Sequence, residues 1–225
     1  MITFQFEESK QSGYFQKIKG GPALYRRAGK RLFDLTLALV LIPFLAPIIA
    51  LLWIVTKLDG GIGFFGHKRI GRNGKVFRCW KVRTMVVDAE QKLRRHLAEN
   101  PEAAAEWEKD HKLNDDPRIT RFGNFLRKTS LDELPQLWNV IRGDMSFVGP
   151  RPIVRVELHK YGSDRPVYLS MKPGITGLWQ VSGRNDVSYS QRVQFDVDYS
   201  KAQSLFTDIR LIAMTGASVV GATGR

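Results

Sequence analysis

The adjacent carboxylates Asp132 and Glu133 are the side chains of this sequence best suited to act in a reaction. Ser130, with Glu133 three residues on, fits a capping box and predicts a helix start with Pro135 in its first turns. A helix N-terminus favours anions, so we expect Asp132 to be ionised at neutral pH. An ionised aspartate can attack phosphorus, and a neighbouring carboxylate can hold Mg²⁺ against phosphate oxygens. Capping alone is the commoner explanation of two acidic residues here.

Two downstream segments supply groups that suit a phosphorylated ligand. Arg151 lies between two prolines, and this rigid backbone suits a bidentate contact of its guanidinium with phosphate. Residues 173–186 are punctuated by glycines and include Trp179, Gln180 and Arg184, which offer a stacking face, an amide and a cation. Each segment alone is equally well explained as a structural turn. Their co-occurrence with the two carboxylates favours a binding site.

The composition indicates a basic globular protein. Lys and Arg number 35 against 22 Asp and Glu, which gives a formal net charge of +13. Hydrophobic residues make up 43% of the chain and exclude a wholly disordered protein. The charge favours anionic partners: nucleic acid, an anionic membrane leaflet or phosphorylated substrates. A single cysteine, Cys79, excludes an intramolecular disulfide and a cysteine-rich zinc site, and we expect it to be a small buried hydrophobe.

One uncharged apolar run, residues 35–56, is long enough to enter a membrane. Its 22 residues would form about 33 Å of helix. Basic residues flank both ends, and Pro43 and Pro47 lie near the middle. Because positive flanks favour the cytoplasmic side, we predict a kinked, re-entrant helix that enters and leaves by the same face. A bitopic helix with proline kinks is the alternative.

The rest of the sequence predicts a small hairpin and several helices. Two strands, residues 62–68 and 75–84, flank an Asn73-Gly74 turn. The segment from Gly66 to Arg83 contains seven basic residues and no acidic one. It forms a basic patch beside the predicted anchor. Further helices are predicted over residues 88–112 (with a break at Pro101), 189–200 and 205–220.

Taken together, the motifs resemble the bacterial sugar transferase family, the monotopic polyprenyl-phosphate phosphoglycosyl transferases. The resemblance extends from about Lys30 to Leu211, with its motifs in the family's order and spacing. These motifs are residues 30–34, the proline-containing apolar run, and residues 77–85, 114–120, 130–140, 143–152 and 173–186.

The resemblance implies a membrane enzyme with Mg²⁺ as cofactor. It would transfer a sugar 1-phosphate, galactose or glucose, from a UDP-sugar to undecaprenyl phosphate and release UMP. This reaction initiates exopolysaccharide synthesis, and the chain looks most like the compact undecaprenyl-phosphate galactose phosphotransferases. The expected location is the cytoplasmic face of a bacterial inner membrane, in contact with membrane lipids and without nucleic acid; a homodimer is left open.

The resemblance also implies a role for each matching residue. Asp132 would be the nucleophile that forms a covalent phosphosugar intermediate, and Glu133 its metal-associated partner, so that both would contact Mg²⁺. The residues expected to bind substrate are Lys81, Arg83, Arg127, Arg151, Gln180 and Arg184. Two positions depart from the family pattern: Ala46-Pro47 replaces a common Ser-Pro, and His67 stands where relatives often have glutamine.

We therefore predict an α+β fold, mainly helical, with a small β-hairpin and an N-terminal re-entrant membrane helix. The expected organisation is a loose tail (1–24), a membrane anchor (25–60) and a catalytic domain at the cytoplasmic face (61–225), without the additional N-terminal spans of larger relatives. Two other function classes compete with this prediction. A non-catalytic membrane adaptor would use the two carboxylates only as caps, and a nucleic-acid-binding protein would leave the apolar run unexplained.

Overall fold

The computed structural model of the protein describes residues 23–110, 112–182 and 187–220. Most of the predicted N-terminal tail, residues 1–22, and the predicted site residue Arg184 therefore lie outside the described residues. The described helices are α1 (Lys30–Lys57), α2 (Ala89–Glu99), α3 (Pro101–Asp110), α4 (Arg121–Lys128), α5 (Gln136–Arg142), α6 (Arg165–Ser170), α7 (Leu178–Val181), α8 (Tyr189–Ala202) and α9 (Leu205–Val220). The strands are β1 (Phe64–Ile70), β2 (Val76–Val82), β3 (Ser146–Val148) and β4 (Gly174–Thr176).

The β-hairpin confirms the Asn-Gly turn signal. Strands β1 and β2 pair antiparallel from Phe64 opposite Val82 to Ile70 opposite Val76. Asn73 and Gly74 adopt positive φ angles of 58° and 76°, a conformation that Asn and Gly tolerate best. The predicted α+β class is confirmed: helices dominate, and the described strands form this hairpin and a short parallel β3–β4 pair.

The predicted helices are found close to their expected bounds. The break between α2 and α3 falls at Asn100, before Pro101, since a residue that precedes proline is disfavoured in helical conformation. Helix α8 extends two residues past its predicted end, and α9 coincides with its predicted range. The described part of the predicted glycine-punctuated loop, residues 173–182, differs from expectation, because it contains strand β4 and the single turn α7.

Helix α1 contains the predicted apolar run and continues through both Pro43 and Pro47. It is long and apolar enough to cross a membrane, and only 11% of its most apolar window is buried against the protein. Large hydrophobic side chains along its middle face outward, among them Leu39, Val40 and Phe44. An exposed apolar surface of this length needs a membrane or a partner to cover it.

Both ends of α1 are fixed to the same globular body. At the N-terminal end, Lys30 Nζ forms a buried ion pair with Asp208 Oδ2 at 2.6 Å, and Asp34 accepts hydrogen bonds from Ser146 Oγ and the Phe147 N–H. At the C-terminal end, Leu52 packs into a cluster with Val82 of β2 and Leu126 of α4. The helix is therefore attached to the body at two points.

The main hydrophobic core lies under the first half of α1. It joins Ala38 of α1 and Phe77 and Cys79 of β2 to apolar residues of α5, β3, α7, α8 and α9. Cys79 is 3% exposed, and burial raises the pKa of its thiol to about 11, as expected for a small buried hydrophobe rather than a nucleophile.

Candidate active site

A cleft of about 680 Å³ lies where β2, the 3₁₀ turn Leu131–Glu133 and the β4–α7 segment meet. Seven of the eight predicted site residues line it, although they come from separate parts of the chain. They are Lys81, Arg83, Arg127, Asp132, Glu133, Arg151 and Gln180. The roles assigned to them remain predictions, while the cleft places them together.

The two carboxylates are positioned differently from the sequence prediction. Ser130 has a left-handed backbone (φ 58°) and no side-chain capping bond, so the predicted capping box is wrong. Its N–H donates to the Arg127 carbonyl, which makes Ser130 the left-handed residue that ends α4. Asp132 and Glu133 then lie on the 3₁₀ turn, and α5 begins only at Gln136. The helix dipole expected to favour their charge is therefore absent at this point.

Lys81 of β2 bridges the two carboxylates. Its Nζ lies 3.1 Å from Asp132 Oδ2 and 2.7 Å from Glu133 Oε1. Burial acts against the charge of all three groups, yet both carboxylates together raise the pKa of Lys81. Lys81 in turn outweighs burial at Glu133, whose pKa is lowered. Lys81 is therefore a direct partner of the dyad formed by Asp132 and Glu133. Its predicted contact with substrate would be additional.

Asp132 is the less exposed of the two carboxylates: 8% of its side chain is exposed, against 29% for Glu133. Its residue is 6% exposed, and burial raises the pKa of the Asp132 carboxyl above its ordinary value, with Glu133 adding to the shift. Lys81 and Arg127 act in the opposite direction. This direction differs from the prediction of an aspartate favoured as an anion by a helix terminus. Neighbouring cations, not a helix dipole, are what favour its charge.

A buried asparagine that the sequence analysis missed fixes β2 against α5. Asn139 Oδ1 accepts from the Trp80 N–H at 3.0 Å, and its Nδ2 donates to the Arg78 carbonyl at 2.7 Å. This bidentate contact lies next to Lys81 and holds the strand in register with the turn that carries Asp132. Its sequence signal is weak, because the buried residues of α5 include another polar side chain, Gln136, besides the apolar Leu137 and Val140.

Of the four arginines that line the cleft, the three that were predicted to bind substrate have different environments. Arg83 uses all its guanidinium donors within the protein: it pairs with Asp59 and donates to the carbonyls of Thr56, Ile62 and Met85. Those contacts tie the end of α1 to β2, so the structure gives Arg83 a structural role. Its predicted contact with substrate stays a prediction.

Arg127 and Arg151 are more available to a ligand. Arg127 Nε donates to Thr84 Oγ1 at 2.9 Å. This hydrogen bond does not involve the two terminal nitrogens of the guanidinium. Arg151 is exposed, and its guanidinium lies 5.7 Å from the centre of the Trp179 ring. A cation–π contact of this kind does not use the N–H donors of the guanidinium.

Two buried polar atoms in the cleft wall have no partner within the described residues. They are His67 Nδ1 and Gln180 Oε1. Burial lowers the pKa of His67, so its imidazole is neutral at pH 7 and can both donate and accept. Buried polar groups without partners are costly, and a polar ligand in the cleft would satisfy them. His67, the position that departs from the family pattern, therefore belongs to the site wall.

Asp132 and Glu133 offer carboxylate oxygens, the ligand type that Mg²⁺ takes. Asp132 Oδ2 and Glu133 Oε1 face a common point, which the Lys81 ammonium occupies at 3.1 Å and 2.7 Å from them. Mg²⁺ prefers oxygen ligands and is commonly held by one or two carboxylates together with substrate phosphates.

Comparison with known proteins identifies the family. Residues 25–222 match the family described as "Bacterial sugar transferase", and this range includes α1, the hairpin and the whole cleft. The chain belongs to the bacterial sugar transferase family. Its resemblance to that family, based on motifs from Lys30 to Leu211, is confirmed.

Relatives of this bacterial sugar transferase carry informative names. This chain is 54% identical to the UDP-galactose-lipid carrier transferase of Erwinia amylovora, over 83% of this chain and 39% of the relative. It is 52% identical to the undecaprenyl-phosphate galactose phosphotransferase of Salmonella typhimurium, over 87% of this chain and 41% of the relative. The exopolysaccharide production protein ExoY of Rhizobium meliloti is 50% identical over 83% of both chains. The chain thus spans about two fifths of the length of the first two relatives.

Proposed function

We propose that this bacterial sugar transferase moves a sugar 1-phosphate from a UDP-sugar to undecaprenyl phosphate and releases UMP. The observation that carries the proposal is the buried Asp132 carboxylate, held 3.1 Å from Lys81 Nζ in a cleft lined by arginines. Relatives named as galactose and glucose phosphotransferases of undecaprenyl phosphate support the acceptor and suggest galactose or glucose as the sugar. Initiation of exopolysaccharide synthesis is the cellular role that follows.

The proposed chemistry has two displacements at phosphorus. Asp132 attacks the phosphorus that carries the sugar, the bond from this phosphorus to the bridging oxygen breaks, and UMP leaves. The resulting acyl phosphate on Asp132 is then attacked by the phosphate oxygen of the lipid, which restores the carboxylate. An acyl phosphate is a known form of covalent catalysis by aspartate. Only an ionised Asp132 can make the first attack. The neighbouring cations Lys81 and Arg127 would assist the reaction by favouring this ionised form.

The other cleft residues have roles that follow from their contacts. Lys81 favours the charged form of Asp132 and Glu133. The guanidinium groups of Arg127 and Arg151 can donate paired hydrogen bonds to the phosphates of the donor. His67 Nδ1 and Gln180 Oε1 are suited to hydroxyl or base groups of the nucleotide sugar, since both lack a protein partner among the described residues. Asp132 and Glu133 would hold Mg²⁺, which when bound neutralises charge on the diphosphate.

We further propose that α1 is re-entrant and keeps the cleft at the cytoplasmic face of the inner membrane. Attachment of both helix ends to one body supports this arrangement. The acceptor is a membrane lipid and the donor is soluble, so a site at the interface is reached by both.

One assay tests the proposed function. The purified chain is incubated with undecaprenyl phosphate, Mg²⁺ and each of several UDP-sugars, and released UMP is measured. Turnover with UDP-galactose or UDP-glucose is expected, with loss of turnover after chelation. An adaptor protein that uses the carboxylates only structurally would release no UMP with any donor, and that result would refute the proposal.

A further inference from the structure

A second cleft, of about 660 Å³, lies at the N-terminal end of α1. It shares no lining residue with the cleft that contains Asp132. Its wall is formed by the start of α1, the hairpin turn and the segment that leads into β4. The basic residues of this wall are Arg26, Arg27, Lys30, Arg31, Arg72 and Lys172.

Internal contacts satisfy only part of this positive charge. Lys30 is paired with Asp208, and Arg31 donates to the carbonyls of Val140 and Ile141 at the C-terminal end of α5. Asp34 is the one carboxylate in the wall among the described residues, and it is engaged by Ser146 and the Phe147 N–H.

The remaining four cations have no ion pair or hydrogen bond with any described residue. They are Arg26, Arg27, Arg72 and Lys172. Three of them are exposed and could be solvated, but Lys172 is half-buried and requires another explanation.

Lys172 and Arg31 converge on a single point. Gly143, which follows α5, has a positive φ of 84°, and a Cβ atom there would lie 3.3 Å from Lys172 Nζ and 3.4 Å from Arg31 Nη2. Burial and the like charge of Arg31 lower the pKa of Lys172 and outweigh the opposite effect of Asp34 and Asp144. The α5 carbonyls explain the position of Arg31 but leave Lys172 without an acceptor. An anion between the two cations would remove the repulsion.

We propose that this second cleft binds a phosphate group, with Lys172, Arg31 and Arg72 as its cationic contacts. Phosphate suits the wall because it accepts several charge-assisted hydrogen bonds at once. The group can come from an anionic lipid headgroup, since the cleft is at the start of the membrane helix, or from a soluble phosphate. This inference is independent of the proposed transfer reaction, because the cleft contains none of the residues assigned to it.

Covalent labelling with pyridoxal 5′-phosphate tests the site directly. This probe carries a phosphate and an aldehyde, and the imine it forms with a neutral lysine is fixed by borohydride and located by peptide mapping. The full chain in zwitterionic nanodiscs should be labelled at Lys172 faster than at Lys92, an exposed lysine of α2. Labelling of Lys172 should then fall by about tenfold when a competing phosphate is present at roughly ten times its Kd.

Two competitors distinguish the sources of the phosphate. Protection by nanodiscs that contain phosphatidylglycerol assigns a lipid headgroup, and protection by inorganic phosphate in zwitterionic nanodiscs assigns a soluble ligand; either supports the site. The Arg72→Gln variant should weaken the protection, whereas Arg94→Gln, an exposed arginine of α2, should leave it unchanged. Absence of labelling at Lys172, or labelling that neither competitor lowers, would overturn the proposal. UMP release is not part of this readout, so the result is separate from that of the proposed function.

Discussion

Lys81 links the electrostatics of the cleft to its chemistry. Burial disfavours charge on Asp132, but a nucleophilic aspartate must be ionised. The ammonium of Lys81 contacts both carboxylates, and its side chain is half-buried, so solvent screens its charge only in part. Removing Lys81 would leave the buried Asp132 and the half-buried Glu133 without their common cation. The residue therefore positions and charges the dyad whether or not it also touches substrate.

The two carboxylates should respond differently to loss of charge. We expect Asp132→Asn to abolish both turnover and the covalent phosphosugar adduct, because only this residue is proposed to become an acyl phosphate. Glu133→Gln should mainly raise the Mg²⁺ concentration needed for activity, since the amide keeps the shape but loses the charge. Intact-protein mass spectrometry with donor alone measures the adduct, and UMP release measures turnover. An adduct of equal yield on Asp132→Asn would assign the nucleophile elsewhere.

Arg151 should depend on its planar fork as well as on its charge. Arg151→Lys keeps the charge but loses the planar guanidinium that can contact two phosphate oxygens at once. We expect a loss of about tenfold or more in kcat/KM, on the order of 1.4 kcal/mol in the barrier. Arg155→Lys, an exposed arginine outside the cleft, is the matched control and should change activity little. Activity of Arg151→Lys within about twofold of wild type, at unchanged stability, would assign Arg151 a structural role.

At the scale of elements, the cleft depends on the contact between β2 and α5. Strand β2 carries Lys81, the turn before α5 carries Asp132, and Asn139 fixes the strand to the helix through two hydrogen bonds. A small shift of β2 along α5 would separate the ammonium from the carboxylates. The precision of the dyad thus comes from a buried amide, in keeping with the high cost of leaving such groups unpaired.

Local patterns predicted the elements better than they predicted the contacts. The Asn73-Gly74 turn and the break at Pro101 follow from backbone preferences that a few neighbouring residues determine. The conformation of Ser130 does not follow from its neighbours in sequence. Those neighbours suit an N-cap, but Ser130 instead ends α4 with a left-handed backbone. The partner of Arg83 is Asp59, 24 residues away, and nothing local identifies it. The resemblance to the family located the cleft because it linked motifs that are far apart in the sequence and that the fold brings together.

Helix α8 contains a buried acid that makes stability depend on pH. Asp196 is 3% exposed, accepts a hydrogen bond from Tyr161 Oη at 2.7 Å, and has its pKa raised by burial from 3.8 to about 7. Between these two values the unfolded state releases a proton that the folded state keeps, so stability falls as pH rises. The loss contributed by Asp196 is at most about 4 kcal/mol.

Asp196→Asn should remove this part of the pH dependence. The amide keeps an acceptor for Tyr161 and never ionises, so the variant should gain stability relative to wild type as pH rises from about 4 to 7. Thermal unfolding midpoints of both proteins in detergent across this range measure the difference. Asp115→Asn, an exposed control, should show no such trend. A constant difference between Asp196→Asn and wild type would mean that Asp196 is already ionised in the folded protein.

At the scale of the whole molecule, the attachment of α1 limits how the protein can sit in a membrane. A straight helix of 28 residues is about 42 Å long, enough to cross a bilayer. A bitopic arrangement, with the body on one side, would have to pull the N-terminal end of α1 away from that body. It would break the Lys30–Asp208 ion pair and leave Asp34 without Ser146. Separating a buried ion pair commonly costs several kcal/mol, so the fold itself opposes crossing.

The proposed re-entrant arrangement would place both ends of α1 in the cytoplasm, and thiol labelling can test it. Single cysteines replace Leu24, which is 75% exposed, and Glu102 in a Cys79→Ser background, and a membrane-impermeant reagent is applied to intact spheroplasts and again after lysis. Both sites should react only after lysis, while a known periplasmic thiol in the same cells reacts at once. Reaction of the Leu24→Cys site in intact spheroplasts would instead support the bitopic helix. Replacing both Pro43 and Pro47 by leucine should move the Leu24→Cys site toward that behaviour, because each proline inside the helix removes a backbone hydrogen bond.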